Sequence, residues 1–260
     1  MKEDRKPFIL LTNDDGISAP GLQALHEALS DMADLMVVAP SGEMSAVGHA
    51  ITLSDPLRVW EFEKDGRFFG YAVKGTPADC VKVAYWALLN GRRKWDVVIS
   101  GINHGANTGI DIIYSGTVSA ATEGAILGIP SFAISVATFR KPDFSVAVDF
   151  ARKMVNWILD HGLPAGVYLN INVPPLPREE IRGVRLTRQS LAVYEERYEV
   201  RRDPRNRVYY WLAGEKVGVE SDDEVDEQAI RQGFISVTPL HYDLTSYEAL
   251  RELRSWSLVP

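Results

Sequence analysis

The chain of 260 residues has 46% hydrophobic and 24% charged residues, a composition typical of a folded globular protein and incompatible with wholesale disorder. Its formal net charge of −7 argues against a protein whose main ligand is a nucleic acid polymer, because such proteins bind by neutralising phosphates. A single cysteine, Cys80, excludes an internal disulfide and a zinc site built from cysteines.

The N-terminal half alternates the patterns of buried strands and amphipathic helices. After a charged start (MKEDRK), unlike a signal peptide, Phe8–Thr12 predicts a strand, a helix opens at Pro20, and Leu35–Ala39 predicts the next strand. No stretch approaches the roughly 20 apolar residues of a membrane span. We therefore expect a cytoplasmic protein with no membrane partner.

A β-hairpin interrupts this rhythm between Ile51 and Val73. Alternating residues from Arg58 to Glu63 predict its first strand, Lys64-Asp65-Gly66 its turn, and FFGYAV its second strand. Directly afterwards, Thr76-Pro77-Ala78-Asp79 predicts a helix start, with a hydroxyl cap, a proline in the first turn and an acid three positions on.

The alternation then resumes. Strands are predicted at Trp95–Ser100, Pro130–Val136 and Tyr168–Val173, and helices at Val118–Leu127 and Phe144–Leu159. Fully apolar strands separated by helices are typical of a parallel sheet covered on both faces. We expect an α/β core over residues 1–177, with a mostly parallel sheet, helices on both faces and the inserted hairpin.

Residues 178–260 have a different character and form a predicted C-terminal β-rich extension, either separate or part of the same domain. Tyr194–Leu212 predicts a polar hairpin that turns at Asp203–Asn206, and an acidic loop follows at Ser221–Glu224. A short strand is predicted at Ile235–Pro239 and a closing helix at Ser246–Leu253. A long polar hairpin has little core of its own, so we expect it to serve as an oligomerisation arm.

The strongest local motif is Asn13-Asp14-Asp15-Gly16, directly after the first strand. Ligands of open α/β sheets bind beyond the carboxyl ends of the strands. Two adjacent carboxylates repel each other unless a cation or a proton intervenes, and Gly16 supplies the freedom for a turn that aims both at one point. A polar turn that satisfies backbone groups explains the same residues equally well.

A second polar loop, Ser100–Asn107, follows another buried strand. Asn103 offers a neutral oxygen that suits a hard cation such as Mg²⁺, Mn²⁺ or Ca²⁺, and Gly105 lets the backbone pass close to a ligand. The alternative is a glycine-rich loop with turns closed by the asparagine side chains.

Two further segments complete the candidate site. Tyr114-Ser115-Gly116-Thr117 opens the predicted Ala/Gly-rich helix, where backbone N–H groups and hydroxyls would bind an anion or simply cap the helix. Ser41–His49 follows the second strand; Ser45 could offer a hydroxyl to a metal and His49 could act as an acid or contact a phosphate, although a surface loop is the simpler interpretation.

These four loops combine acids, amides, hydroxyls and glycines with few lysines or arginines, so they suit one divalent cation and one phosphate. They match neither a Walker loop nor the fingerprints of dinucleotide-binding enzymes, serine esterases or zinc proteases. From the residues alone, the sequence predicts a metal-dependent phosphate site.

The same motifs resemble a known family. Five segments resemble, in order, the blocks of the survival protein SurE family, whose members are metal-dependent nucleoside monophosphate phosphatases. They are LLTNDDGISAPGLQAL, VVAPSGEMSAVGHAIT, GTPADCV, VISGINHGANTG and YSGTVSAATEGAILGIPSFAIS. The resemblance spans residues 8–136 and continues more loosely through YLNINVP and ISVTPL. It departs before Ser45, where this chain reads SGEM and many relatives carry Asp and Arg residues.

The resemblance implies a ligand set. One divalent ion per subunit (Mg²⁺, Mn²⁺ or Co²⁺) would be held by Asp14, Asp15, Ser45 and Asn103, and phosphate by Ser115, Gly116 and Thr117 with Asn107 nearby. We add Asn13, Gly48 and His49 to the expected substrate contacts. It also implies a Rossmann-like core whose C-terminal extension is exchanged between subunits, which gives a homodimer or homotetramer.

The resulting hypothesis is hydrolysis of nucleoside 5′- and 3′-monophosphates to nucleoside and inorganic phosphate, extended to short polyphosphate. Asp14, Asn103 and Ser115 are the expected catalytic residues, and His104 is a candidate acid for the leaving oxygen. An attacking water polarised by the metal is simpler than attack by an aspartate. The alternatives are a non-catalytic metal- and nucleotide-binding sensor and an acyl esterase with Ser115 as nucleophile.

Overall fold

The computed structural model describes residues 5–89 and 93–256. Its strands, in chain order, are β1 (Phe8–Thr12), β2 (Asp34–Pro40), β3 (Arg58–Lys64), β4 (Arg67–Lys74), β5 (Val97–His104), β6 (Ser131–Val136), β7 (Val167–Val173), β8 (Gly183–Leu186), β9 (Val193–Arg202), β10 (Val208–Val217) and β11 (Phe234–His241). Its α-helices are α1 (Pro20–Leu29), α2 (Pro77–Val83), α3 (Asp111–Tyr114), α4 (Gly116–Ile126), α5 (Ser145–His161), α6 (Asp226–Arg231) and α7 (Tyr247–Leu253).

A nine-stranded sheet with the order β3-β4-β2-β1-β5-β6-β7-β11-β8 forms the centre of the protein. The six strands from β4 to β7 in this order are parallel, and only β3 and the pair β11 and β8 run in the opposite direction. The predicted α/β fold with a mostly parallel sheet is therefore confirmed, and the predicted hairpin is β3 and β4 at one edge.

Helices cover both faces of this sheet because successive strand residues point to opposite sides. In β1, Ile9 and Leu11 pack with α1 and α5 in one buried cluster, whereas Leu10 belongs to the opposite cluster with α2. Helix α2 begins where the sequence predicts, because Thr76 and Asp79 form a reciprocal capping box with the backbone.

The strand order places a crevice beside β1. The chain leaves β1 for β2 on one side and later returns to β5 on the other, so the loops after β1 and β5 diverge at the carboxyl edge of the sheet. This reversal point is where doubly wound α/β proteins bind ligands. Close packing fixes the crevice, because a Cβ on Gly21 of α1 would lie 2.0 Å from the carbonyl oxygen of Ile102 in β5.

The C-terminal extension contributes to two sheets. Strand β11 pairs antiparallel with β7 from Ser236 to His241, and β8 lies parallel to β11 at the sheet edge. Strands β9 and β10 form a separate two-stranded sheet, as the hairpin pattern predicts. Over residues 5–89 and 93–256, no helix is long and apolar enough to cross a membrane.

Candidate active site

A cleft of about 430 Å³ opens at the carboxyl ends of β1 and β5. Six of the predicted site residues line it together: Asp14, Asp15, Ser45, Asn103, Asn107 and Ser115. Glu43, Ala46, His104, Gly105, Ala106, Asp111, Tyr114 and Phe139 complete the lining. Loops that are distant in sequence therefore converge on one concave site.

Backbone hydrogen bonds bring the loop after β2 to this cleft. The amide of Met44 donates to the carbonyl oxygen of Asp14 at 2.7 Å, and the amide of Gly48 donates to that of Tyr114 at 2.8 Å. Between these two anchors, the hydroxyl of Ser45 donates to Oε1 of Glu43 at 2.7 Å. Ser45 thus reaches the same cleft as the acids that follow β1.

The two aspartates lie where burial and their mutual repulsion disfavour two negative charges. Asp14 is only 5% exposed, and burial raises the pKa of its carboxyl group although the hydroxyl of Thr117 donates to Oδ1. Burial, and after it the negative charge of Asp14, raise the pKa of Asp15 to about 6. Such a pair favours a proton or a cation between its members.

The donor set fits a hard divalent cation. Asp14, Asp15, Ser45 and Asn103 present carboxylate, hydroxyl and amide oxygens to one cleft, and oxygen ligands are those that Mg²⁺ and Mn²⁺ prefer. Within the described ranges, no three His, Cys, Asp or Glu side chains form a metal-binding group. A cation in this cleft would therefore need the neutral oxygens as well as the acids.

Amide groups are held in fixed orientations at the end of β5. The side-chain nitrogen of Asn103 donates to the carbonyl oxygen of Gly105 at 2.9 Å, which leaves its Oδ1 as the acceptor atom. Asn107 donates its side-chain nitrogen to Oγ of Ser135 at 2.9 Å. Its backbone is bound on both sides, because its amide donates to Asn172 and its carbonyl oxygen accepts from Asn170 and Asn172.

Helix α4 begins against the acids. Oγ of Ser115 accepts the amide of Val118 at 3.1 Å, so Ser115 is the N-cap, one of the two roles that the sequence allows. Gly116 is needed here, since a Cβ at this position would lie 2.8 Å from the Cβ of Asp14. The helix thus presents its N-terminus, which attracts anions, close to the predicted metal ligands.

Five predicted site residues do not line the cleft. Asn13 is fully buried and its side-chain nitrogen donates to the carbonyl oxygen of Gly16 at 3.0 Å, so it supports the turn that carries Asp14. Thr117 hydrogen-bonds Asp14, Gly116 packs against it, and Gly48 anchors the loop. The fifth is His49, which points elsewhere.

The ring of His49 lies against Glu123 on α4. Its Nε2 is 3.0 Å from Oε2 of Glu123, whose other oxygen accepts from Lys82 at 2.9 Å. Burial alone would raise the pKa of Glu123, but these two partners outweigh it and lower the pKa. This buried carboxylate therefore holds His49 away from the cleft.

Three lining residues were missed by the sequence interpretation: Glu43, Asp111 and Phe139. Glu43 could have been found from the sequence, because it is an acid only two residues before the predicted ligand Ser45. Asp111 has no local signal, because its place depends on α3 and on a lysine of β10. Phe139 follows β6, and a strand end at the ligand-binding edge of the sheet could have indicated it.

Comparison with known proteins gives a consistent result. The family described as "Survival protein SurE" matches residues 9–196. A protein named 5′-nucleotidase SurE from Syntrophobacter fumaroxidans is 51% identical over 250 residues, 96% of this chain and 99% of that protein. Another of the same name from Syntrophus aciditrophicus is 53% identical over 247 residues, 95% of this chain and 92% of that protein. A crystal structure of the SurE protein from Aquifex aeolicus has a TM-score of 0.83 and 43% identity, covering 95% of this chain and 98% of that one.

Proposed function

The chain belongs to the survival protein SurE family, and from that premise we propose that it is a 5′-nucleotidase, a metal-dependent phosphomonoesterase that releases phosphate from nucleoside monophosphates. The activity in the names of its relatives supports this assignment. The observation that carries it is the shared cleft, where the repelling pair Asp14 and Asp15 meets Ser45, Asn103 and the start of α4.

Asp14, Asp15, Ser45 and Asn103 would hold one divalent ion. When bound, such an ion screens the negative charge of a phosphate ester and polarises an attacking water. Thr117 orients Asp14 through its hydroxyl, and the amide of Asn103 is fixed by Gly105, so these groups need little rearrangement on binding. Preorganised donors are what stabilises the charge of a phosphoryl-transfer transition state.

The phosphate oxygens would lie at the N-terminus of α4, at Ser115, with Asn107 beside it. The α4 backbone N–H groups and the Ser115 hydroxyl are donors, and the helix dipole adds a partial positive charge. The Nε2 atom of His104 faces the carbonyl oxygen of Arg140 at 2.7 Å, so Nε2 carries a hydrogen and Nδ1 is the atom that would exchange a proton with the leaving oxygen.

The test is phosphate release from 5′-AMP, 3′-AMP and tripolyphosphate, with Mg²⁺, Mn²⁺ or Co²⁺ and with EDTA. We expect hydrolysis of both monophosphates and slower cleavage of tripolyphosphate, all abolished by EDTA. Nucleotide binding without metal-dependent turnover would instead identify a sensor. A Ser115→Ala variant that keeps phosphatase activity but loses acyl ester cleavage would identify an esterase.

We also propose that the protein is a homodimer or homotetramer joined through the hairpin β9–β10. Residues paired across the two strands share a face, so Val200 and Tyr210, and Tyr198 and Leu212, form one apolar surface. These four side chains are 60–63% exposed. An isolated two-stranded hairpin is marginal in water, and a second copy of the chain would cover this surface.

A further inference from the structure

A phenylalanine stands exposed at the rim of the cleft. Phe139, in the loop after β6, is 91% exposed, yet its side chain lines the cleft that holds Asp14 and Asp15. The same side chain also lines a neighbouring cavity of about 760 Å³, formed by residues 137–143, Val146 and residues 174–177, which we call the outer cavity. Phe139 thus borders both the cleft and the outer cavity.

The loop that carries this ring is anchored. The amide of Thr138 donates to the carbonyl oxygen of Val136 at 2.8 Å, and the ring of His104 hydrogen-bonds the carbonyl oxygen of Arg140 at 2.7 Å. The ring of Phe139 lies against Gly105, where an added Cβ would be 3.2 Å from Cε1. Contacts on both sides therefore place the ring beside the loop that carries Asn103.

The position of the ring suits the part of a nucleotide that the phosphate site cannot hold. With phosphate at the inner end of the cleft, the nucleoside must extend outward past the rim. Besides the imidazole of His104, the cleft lining contains one tyrosine, Tyr114, and one phenylalanine, Phe139. Phe139 is more exposed than Tyr114, and of these three rings it alone also lines the outer cavity, where Arg140 and Lys141 offer hydrogen-bond donors.

We infer that Phe139 is the stacking surface for the nucleobase of the substrate, with the outer edge of the base in the outer cavity. This inference rests on the proposed function, which supplies the nucleoside monophosphate. Every base has a flat π face, so stacking on one ring accepts purines and pyrimidines and favours the larger purine. Stacking on Phe139 thereby makes the protein prefer nucleotides over simple sugar phosphates, which lack a base.

The experiment measures hydrolysis of 5′-AMP and of ribose 5-phosphate by the unmutated protein and by the Phe139→Ala variant. We expect the variant to raise the KM for 5′-AMP about tenfold with little change in kcat, because base stacking contributes to binding and not to the reacting bond. The KM for ribose 5-phosphate should stay within twofold. Phe139→Trp should restore the KM for 5′-AMP.

A matched control is Phe68→Ala, which removes another exposed phenylalanine from β4 at the opposite edge of the sheet and should change neither substrate. An equal loss for both substrates in Phe139→Ala would overturn the inference in favour of a role in holding the loop. An unchanged KM for 5′-AMP would place the base elsewhere and overturn it too. A parent protein that hydrolyses neither substrate would overturn the proposed function itself, and the inference with it.

Discussion

Nζ of Lys216, on strand β10 of the exposed hairpin, donates a hydrogen bond to Oδ2 of Asp111 at the cleft, 2.7 Å away. The same amine hydrogen-bonds Oε1 of Glu227 and the carbonyl oxygen of Thr108. Its ion pairs with the two acids outweigh the effect of burial and raise its pKa. One lysine therefore joins the hairpin to the loop that follows Asn107.

Replacing this lysine should weaken both the fold and the activity. Lys216→Met leaves Glu227, whose side chain is 8% exposed, without its cation, and we expect a loss of roughly 3 kcal/mol in the free energy of unfolding. Because Asp111 lines the cleft, kcat for 5′-AMP should also fall. Urea unfolding and phosphate release measure the two effects. Lys74→Met, an exposed lysine of β4, is the control, and equal stability of both variants would refute the linkage.

The variant Asp14→Asn should lose activity without losing stability. The variant loses a predicted metal ligand, so we expect kcat to fall at least about a hundredfold, as for loss of a central electrostatic group. Burial raises the pKa of Asp14, so a neutral amide should leave the thermal midpoint of the metal-free protein unchanged or higher. Asp160→Asn, at the exposed end of α5, should alter neither. Retained hydrolysis in Asp14→Asn would remove its role as a ligand.

Glu123 should make stability depend on acid pH. Its pKa in the folded protein is below the ordinary value of 4.5, so the stability it contributes is present above pH 4.5 and is lost as pH falls through the folded pKa. Glu123→Gln should be about 1–2 kcal/mol less stable at pH 7 and should lose less on acidification. Urea unfolding between pH 7 and pH 3 measures this, with the exposed Glu252→Gln as control; parallel curves for the parent and Glu123→Gln would contradict it.

Adding one methyl group to Gly116 should displace Asp14. The new Cβ would lie 2.8 Å from the Cβ of Asp14 and 3.1 Å from its Oδ2. We expect Gly116→Ala to cost about 1–3 kcal/mol of stability and to lower kcat tenfold or more. Gly42→Ala is the matched control, because an added Cβ there meets nothing within 4 Å. If both variants behave alike in steady-state kinetics, the close packing has no catalytic role.

The hairpin surface should govern assembly. Tyr210→Glu puts a charge on the apolar face shared with Val200, and we expect light scattering to show dissociation to a smaller species. Tyr209→Glu makes the same change one residue away, on the opposite face, and should leave the mass unchanged. A parent protein that is already monomeric would disprove the proposed oligomer.

Local patterns predicted most of the core. Strand β1 begins and ends at the predicted residues, and the cap at Thr76 starts α2 as expected, because both depend on neighbours in sequence. Strand β8 and the short helices α3 and α6 were missed. The four residues of β8 pair in parallel with β11, some 50 positions later, and no local period signals that contact.

Convergence of the loops was predictable, but the direction of individual side chains was not. The strand-end rule brought Asp14 and Asn103 together correctly. His49 turns to Glu123, 74 residues away, and Asp226 is buried beneath Gly109, whose amide donates to its Oδ2 at 2.9 Å. Those partners lie in other elements, so sequence spacing carries no information about them.

The place of β11 in the sheet has a consequence for synthesis of the chain. Strand β7 is hydrogen-bonded on one side by β11, which ends only at His241. Until that residue has left the ribosome, the nascent protein exposes a bare strand edge that can pair with another chain. Closure of this edge of the sheet therefore waits for the synthesis of β11, and molecules truncated before β11 should aggregate instead of folding.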